Sequence, residues 1–216
     1  MTTYVALLRA VNVGGHASLP MAGLRDSLAG LGYANARTYL QSGNAVFDAA
    51  SGSLQEHAAA IALRIERDFA PRVGVLVLDA DDVARVVAAN PFTTLDRLTA
   101  EDRLAADPGV DERSLHVTFL FGEAGEAEFG VASEVAYSAA YKAAFAKMIL
   151  PAAEGERAAF VGTPVLATPV VYLHLPHGYG QTKLTNIYFE RTLGAAATTR
   201  NWRTVRALAE MGAGTA

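Results

Sequence analysis

The chain has 216 residues, 51% of them hydrophobic and 19% charged, which is enough apolar material for one or two buried cores and excludes a disordered chain. Its net charge of −4 disfavours non-specific nucleic-acid binding, which rests on broad phosphate neutralisation. The absence of cysteine excludes disulfides, thiolate catalysis and Cys-based metal sites.

Tyr4–Val11 reads as a buried strand, apolar on both faces except for Arg9. It runs into Asn12-Val13-Gly14-Gly15. Met21, Leu24, Leu28 and Leu31 then recur at helical spacing, with Pro20 in the opening turn and Gly32 at the stop. Arg37–Leu40 and Ala45–Phe47 read as short strands around Ser42-Gly43-Asn44, which predicts a hairpin. Ser53-Leu-Gln-Glu56 is a capping box, and Leu54, Ala58, Ile61, Ile65 and Phe69 line one face of the helix that follows. Pro71 ends that helix, Val73–Leu78 is a fourth strand, and Asp79 to Asn90 adds a helix stopped by Pro91. The order βαββαβ is that of a ferredoxin-like plait.

Residues 91–113 are charged, contain the Asp107-Pro108-Gly109 turn and read as a linker. A second unit opens with a strand at Ser114–Phe121. An alanine-rich helical region follows from about Glu123 to Ile149, carrying Tyr141, Phe145 and Met148. Arg157–Val161 and Pro169–Leu175 read as a strand pair. Thr182–Leu193 reads as a helix with Leu184, Ile187, Tyr188 and Leu193 on its apolar face. Thr198 or Thr199 would cap a last helix carrying Trp202, Val205 and Leu208. The fold class expected is α/β (α+β), with two plait-like units: residues 1–90, the linker 91–113, and residues 114–216.

Six stretches together resemble a largely bacterial family of uncharacterised proteins, the domain of unknown function 1697 family. They are Tyr4-Val-Ala-Leu-Leu-Arg-Ala-Val-Asn-Val-Gly-Gly15, Arg37-Thr-Tyr-Leu-Gln-Ser-Gly-Asn44, Asn90-Pro-Phe92, Tyr172-Leu-His-Leu-Pro176, Gly180-Gln-Thr-Lys-Leu184 and Thr198-Thr-Arg-Asn-Trp202. The resemblance implies two α/β units related to the ferredoxin-like plait and carries no agreed activity. The first loop departs from the family pattern: Ala10 stands where a glycine is usual, and His16-Ala17 replaces Lys-Asn.

Four loops concentrate the polar residues outside the predicted elements. Asn12, Gly14 and Gly15 join a strand to a helix and offer backbone amides to an anion, or form a turn in which glycine permits positive φ. They are not the dinucleotide fingerprint, which needs a third glycine. Gln41, Ser42 and Asn44 read as hairpin turn chemistry or as polar contacts to a ligand. Gly178-Tyr-Gly-Gln-Thr-Lys183 is not a P-loop, since Thr182 precedes Lys183, but an anion would suit its amides beside Lys183. Arg200 and Asn201 lie at the predicted start of the last helix, where exposure is expected, and Arg200 can fork onto a phosphate or carboxylate. Trp202 falls in the apolar stripe and reads as core.

The histidines give no metal-ligand spacing, because Pro176 interrupts His174 and His177 and no third ligand lies near. No metal or cofactor is expected, and no nucleophile elbow or carboxylate dyad marks a reaction. The reading is a cytoplasmic protein, given the missing cysteines, the non-basic start Met1-Thr-Thr-Tyr4 and no apolar run of roughly 18 to 20 residues. It would bind a small anionic ligand, a nucleotide or phosphorylated metabolite, between its units. The alternatives are a non-enzymatic interaction module or homo-oligomer and, less favoured in an acidic chain without an aromatic RNA-binding segment, RNA binding.

Overall fold

The computed structural model describes residues 1–12, 18–70, 72–93, 110–121, 152–162, 165–166 and 168–214. It is a mixed α/β structure with two four-stranded antiparallel sheets and helices packed on them. The chain divides into two compact units, Met1–Ala84 with Arg206–Ala216, and Arg85–Val205. Among the described residues no helix is long and apolar enough to cross a membrane.

In unit one the elements run β1 (Thr2–Leu8), α1 (Met21–Ala29), β2 (Ala34–Tyr39), β3 (Asn44–Ala49), α2 (Leu54–Phe69) and β4 (Val75–Asp79); α3 (Ala80–Ala88) follows and passes into unit two at Arg85. This is the βαββαβ order the sequence pattern predicts. The sheet order is β2-β3-β1-β4, every pair antiparallel. Tyr4, Ala6, Leu8, Ala45 and Phe47 point to one face, where Leu24 and Leu28 of α1 and Ala58, Ile61 and Ile65 of α2 close the core. Burying each of the larger side chains contributes about 1.5–3 kcal/mol. Val5, Leu7, Val46 and Leu78 on the opposite face are buried too, so β1 is apolar on both sides as its sequence predicts.

The capping box forms: Glu56 N–H donates to Ser53 Oγ at 3.2 Å, and Ser53 N–H donates to Glu56 Oε2 at 2.7 Å. Helix α2 ends at Phe69, with Ala70 in the left-handed conformation at φ 72°. Helices α1 and α2 are joined through Asp68, which accepts from buried Ser27 Oγ at 2.6 Å and pairs with Arg64 at 2.5 Å. The Arg64 contact, then Ser27, holds the Asp68 carboxyl down to about 2.

In unit two, β5 (Leu115–Phe121), β6 (Arg157–Val161), β7 (Val170–His174), α4 (Asn186–Leu193) and β8 (Ala196–Asn201) are described; α5 (Trp202–Gly212) follows and passes into unit one at Arg206. The sheet order β6-β7-β5-β8 repeats that of unit one. Leu120, Val171, Leu173 and Ala197 pack with Leu184, Phe189 and Leu193 on one face. On the other, Tyr172 is fully buried and its hydroxyl donates to the Val86 carbonyl at 2.7 Å. The expected helical region from about Glu123 to Ile149 and most of the linker lie outside the described residues.

Four expectations change. Strand β1 stops at Leu8 rather than Val11, because Ala10 (φ 57°) and Asn12 (φ 55°) adopt left-handed backbone that no strand continues. Thr198 and Thr199 do not cap the last helix; they lie within strand β8, where Thr199 pairs with Thr118 of β5. Helix α4 begins at Asn186, not Thr182, because the hydroxyl that accepts from an opening-turn amide belongs to Thr185. Ile187 is exposed, and Phe189 takes its expected place in the core.

Candidate functional site

Two loops of unit one meet where β1 ends. The Leu8 N–H donates to the Gly43 carbonyl at 2.8 Å, which sets the β2–β3 turn beside the end of β1. Asn12 then joins the loops through its side chain. Its Nδ2 donates to the Gln41 carbonyl at 2.7 Å and to the Leu19 carbonyl at 2.8 Å, and its Oδ1 accepts the Leu19 N–H at 2.8 Å. Asn12 is therefore a clamp whose amide is occupied by backbone, while Gln41 beside it is exposed. Asn44 is wholly buried and closes the turn, donating to the Tyr39 carbonyl and to Ser42 Oγ, both at 3.0 Å. Gly43 (φ 73°) has no substitute here: a Cβ would run into Val11 and stand 2.7 Å from Leu8 Cβ. Gly14, Gly15 and His16 lie outside the described residues.

The backbone at this junction is unusual. Ala10, Asn12 and Leu40 all have left-handed φ, of 57°, 55° and 55°. Asparagine tolerates that region, whereas alanine and leucine are strained in it by roughly 1 kcal/mol or more. Leu40 is also 59% exposed, so its side chain gains little from packing.

The remaining residues named from sequence belong to unit two. Lys183 is exposed on the loop before α4. Its neighbour Thr182 is buried and locked, donating to Glu156 Oε2 at 3.0 Å and accepting from the Leu184 N–H at 3.0 Å. Since α4 starts at Asn186, the Gly180–Thr182 amides are not its opening turn. Arg200 is buried rather than exposed, because β8 is an extended strand that turns this side chain inward. Its Nη1 donates to Thr198 Oγ1 at 2.8 Å and to the Thr199 carbonyl at 3.0 Å. Burial pulls the guanidinium down to about 10, against a smaller electrostatic effect of Tyr179 in the opposite direction. Asn201 is half-buried; its Oδ1 accepts the Arg203 N–H at 3.0 Å at the entry to α5. Trp202 is core, as its stripe predicts.

Three features lie outside the four loops named from sequence. His57 is buried among Tyr4, Tyr33 and Phe47, its Nδ1 2.8 Å from the Tyr33 hydroxyl and its Nε2 without a partner. Burial holds its imidazole below the ordinary range. His116 stacks on Tyr179 with ring centres 5.4 Å apart, and its Nδ1 is 3.3 Å from the Ser114 carbonyl. The third is an open cavity at the edge of sheet one, lined by Thr3, Asn35, Arg37 and Asp48. Of these four residues only Arg37 falls in a strand expected from sequence, so no sequence pattern marks the cavity. Among the described residues no cluster of three His, Asp or Glu side chains offers a metal site.

The pattern of the family described as Protein of unknown function (DUF1697) matches residues 1–146. The chain belongs to this family. The DUF1697 match takes in Asn12, Gln41, Ser42, Asn44 and the cavity residues Thr3, Asn35, Arg37 and Asp48, whereas Lys183, Arg200 and Asn201 lie beyond it. Among solved structures, that of the conserved bacterial protein SP0830 from Streptococcus pneumoniae superposes with a TM-score of 0.59 at 22% identity, over 98% of each chain. That likeness is one of fold. No curated protein matches the DUF1697 chain by sequence.

Proposed function

We propose that this protein binds a small anionic ligand, a nucleotide or phosphorylated metabolite, and that the clamped loop pair Arg9–Asn12 and Leu40–Asn44 is its ligand-facing edge. The observation that carries the reading is the clustering of strained, non-glycine backbone in these two loops. Strain of that kind persists only where the surroundings impose it, and it concentrates at binding sites. Here the Asn12 clamp and the Leu8–Gly43 hydrogen bond impose it.

Charge supports the anionic character. The chain carries −4 overall, yet Asp26 is the single acidic residue before Asp48, against Arg9, Arg25, Arg37 and His16. Both loops thus lie in stretches free of carboxylates, and Arg9 opens the first. In unit two the loop at Gly178–Lys183 offers a lesser version of the same chemistry. A Cβ at Gly178 or Gly180 would meet nothing within 4 Å, so the backbone near Lys183 is uncrowded. The proposal is of binding and names no reaction.

The test is amide-resolved NMR titration with nucleotides and sugar phosphates. Ligand shifts at Ala10, Asn12, Gln41 and Ser42, weakened in Gln41→Ala, support the reading. Shifts nowhere in the loop pair with any anion overturn it. A second reading, a protein-interaction surface, is favoured by one feature: Leu40 projects from the same turn largely exposed. A monomer at high concentration that captures no partner, beside saturable anion shifts, rejects it.

A further inference from the structure

The cavity of unit one lies away from the clamped loops and holds two opposite charges. Its volume is about 450 Å³, within the range of small-molecule sites. Asn35, Arg37 and Asp48 come from the paired strands β2 and β3, Thr3 from β1, Gly212 from the last position of α5 and Gly214 from the turn just after it. The bulge in β2 makes the site. One extra residue sits between the pairs Ala34–Asp48 and Arg37–Val46, and Asn35 takes φ 52° there. That kink aims the Asn35 amide at Asp48.

Asp48 is oriented from two sides. Oδ1 accepts from Thr3 Oγ1 at 2.8 Å and Oδ2 from Asn35 Nδ2 at 2.7 Å. Each oxygen keeps a further lone pair. The Asn35 hydrogen bond, then Thr3, Arg37 and the chain's amino terminus, holds the carboxyl below its ordinary range, so it is ionised at neutral pH. Arg37 is anchored through Nη2, which donates to the Met211 carbonyl at 2.9 Å. Its Nε is buried without a partner. Among the described residues no ion pair joins Arg37 to Asp48; the two act on each other through space.

A guanidinium and a carboxylate held in one open cavity, each with unspent capacity, select against simple ions. A lone cation on Asp48 meets repulsion from Arg37, and a lone anion on Arg37 meets repulsion from Asp48. A small molecule carrying both charges satisfies both. We propose that this cavity binds a small zwitterion of the free α-amino acid type, its ammonium donating to Asp48 and its carboxylate accepting from Arg37. The site is independent of the loop pair and of any anion bound there.

The experiment uses the full chain, labelled for amide NMR and titrated with free L-α-amino acids. The methyl ester (cation only) and the N-acetyl derivative (anion only) of each amino acid that shifts the spectrum are titrated beside it. The expected result is saturable shifts at Asn35, Ala36, Arg37, Asp48 and Gly214 with a free amino acid. Each half-charged derivative, and each of Asp48→Asn and Arg37→Gln, should bind roughly tenfold more weakly or worse, the cost of leaving one charge unpaired. Wild-type-like spectra away from the cavity show that the variants fold, and the derivative series on the native chain tests the same point without mutation. Failure of every amino acid to shift these amides overturns the proposal. So does equal binding of an ester, which makes the cavity a cation site, or equal binding of an N-acetyl compound, which makes it an anion site.

Discussion

Asn12→Ala tests whether the loop pair is held as described. The substitution removes three hydrogen bonds at once: two to the Leu19 peptide, both 2.8 Å, and one to the Gln41 carbonyl, 2.7 Å. Leu19 is 1% exposed, so its amide and carbonyl are left with little access to water. Each of those two bonds is worth about 1 kcal/mol net, and the exposed bond to Gln41 about half that. Alanine at φ 55° adds about 1 kcal/mol of backbone strain that asparagine largely avoids. The sum is a loss of about 3.5 kcal/mol. Asn12→Gly isolates the strain, since glycine adopts this backbone freely; it should lose about 2.5 kcal/mol, from the same missing bonds. Asn12→Asp keeps the acceptor for Leu19 N–H but turns a carboxylate towards two carbonyl oxygens, and it should resemble Asn12→Ala. Urea denaturation measures the totals, and hydrogen exchange at Leu19 reports the local bond. Losses below about 0.5 kcal/mol, the range of an ordinary surface change, with Leu19 exchange unaltered, would refute the clamp.

The strain argument makes an opposite prediction at Leu40. Leu40→Gly should raise thermal stability, by about 1 kcal/mol, while weakening anion binding at the loop pair; a fall in stability with binding intact contradicts the proposed function. Gly43→Ala should destabilise by about 2–4 kcal/mol in denaturant titration, combining overpacking against Leu8 and Val11 with a left-handed alanine. Gly52→Ala places a methyl 2.7 Å from His57 Cε1 at φ 122° and should cost at least about 2 kcal/mol by the same measurement. The His57 pKa lies below 6.5 in the folded protein and at the ordinary value when unfolded. Just below pH 6.5 the unfolded chain therefore binds more protons, and stability falls as pH falls, with no contribution at pH 8. His116, also held down by burial, adds a slope of the same sign, so His57→Phe should reduce the slope of stability between pH 6.5 and 5 without abolishing it. An unchanged slope assigns the effect elsewhere.

Where local chemistry and packing agree, the sequence is easily read. Ser53 and Glu56 announce α2, and β1, β3 and β4 are legible as apolar runs because they are buried on both faces. Strand β8 hides because Thr198, Thr199, Arg200 and Asn201 are polar. Its pairing with β5 comes from far along the chain, and Thr199 is satisfied by Thr118 at 2.8 Å and Asn186 at 2.6 Å. Arg200 misleads for the same reason, since a buried arginine contradicts every local expectation. Asn12 and Asn44 are visible as special, yet their work is to bind backbone, which spacing does not distinguish from binding a ligand. The cavity is hidden further, because it depends on one extra residue in β2 and on the carboxyl end of a helix more than 160 positions away, with Arg37 and Met211 separated by 174.

The return of Arg206–Ala216 to unit one has a consequence for synthesis. A ribosome adds roughly 5–20 residues per second, so the first 84 residues emerge well before the segment that completes their unit. Until then Arg37 lacks the Met211 carbonyl that anchors it. Trimming the C-terminus, an ordinary step in preparing a shorter fragment, would thus injure the N-terminal unit. A fragment meant to isolate that unit needs the tail grafted back, by permutation or by supplying the helix as a peptide.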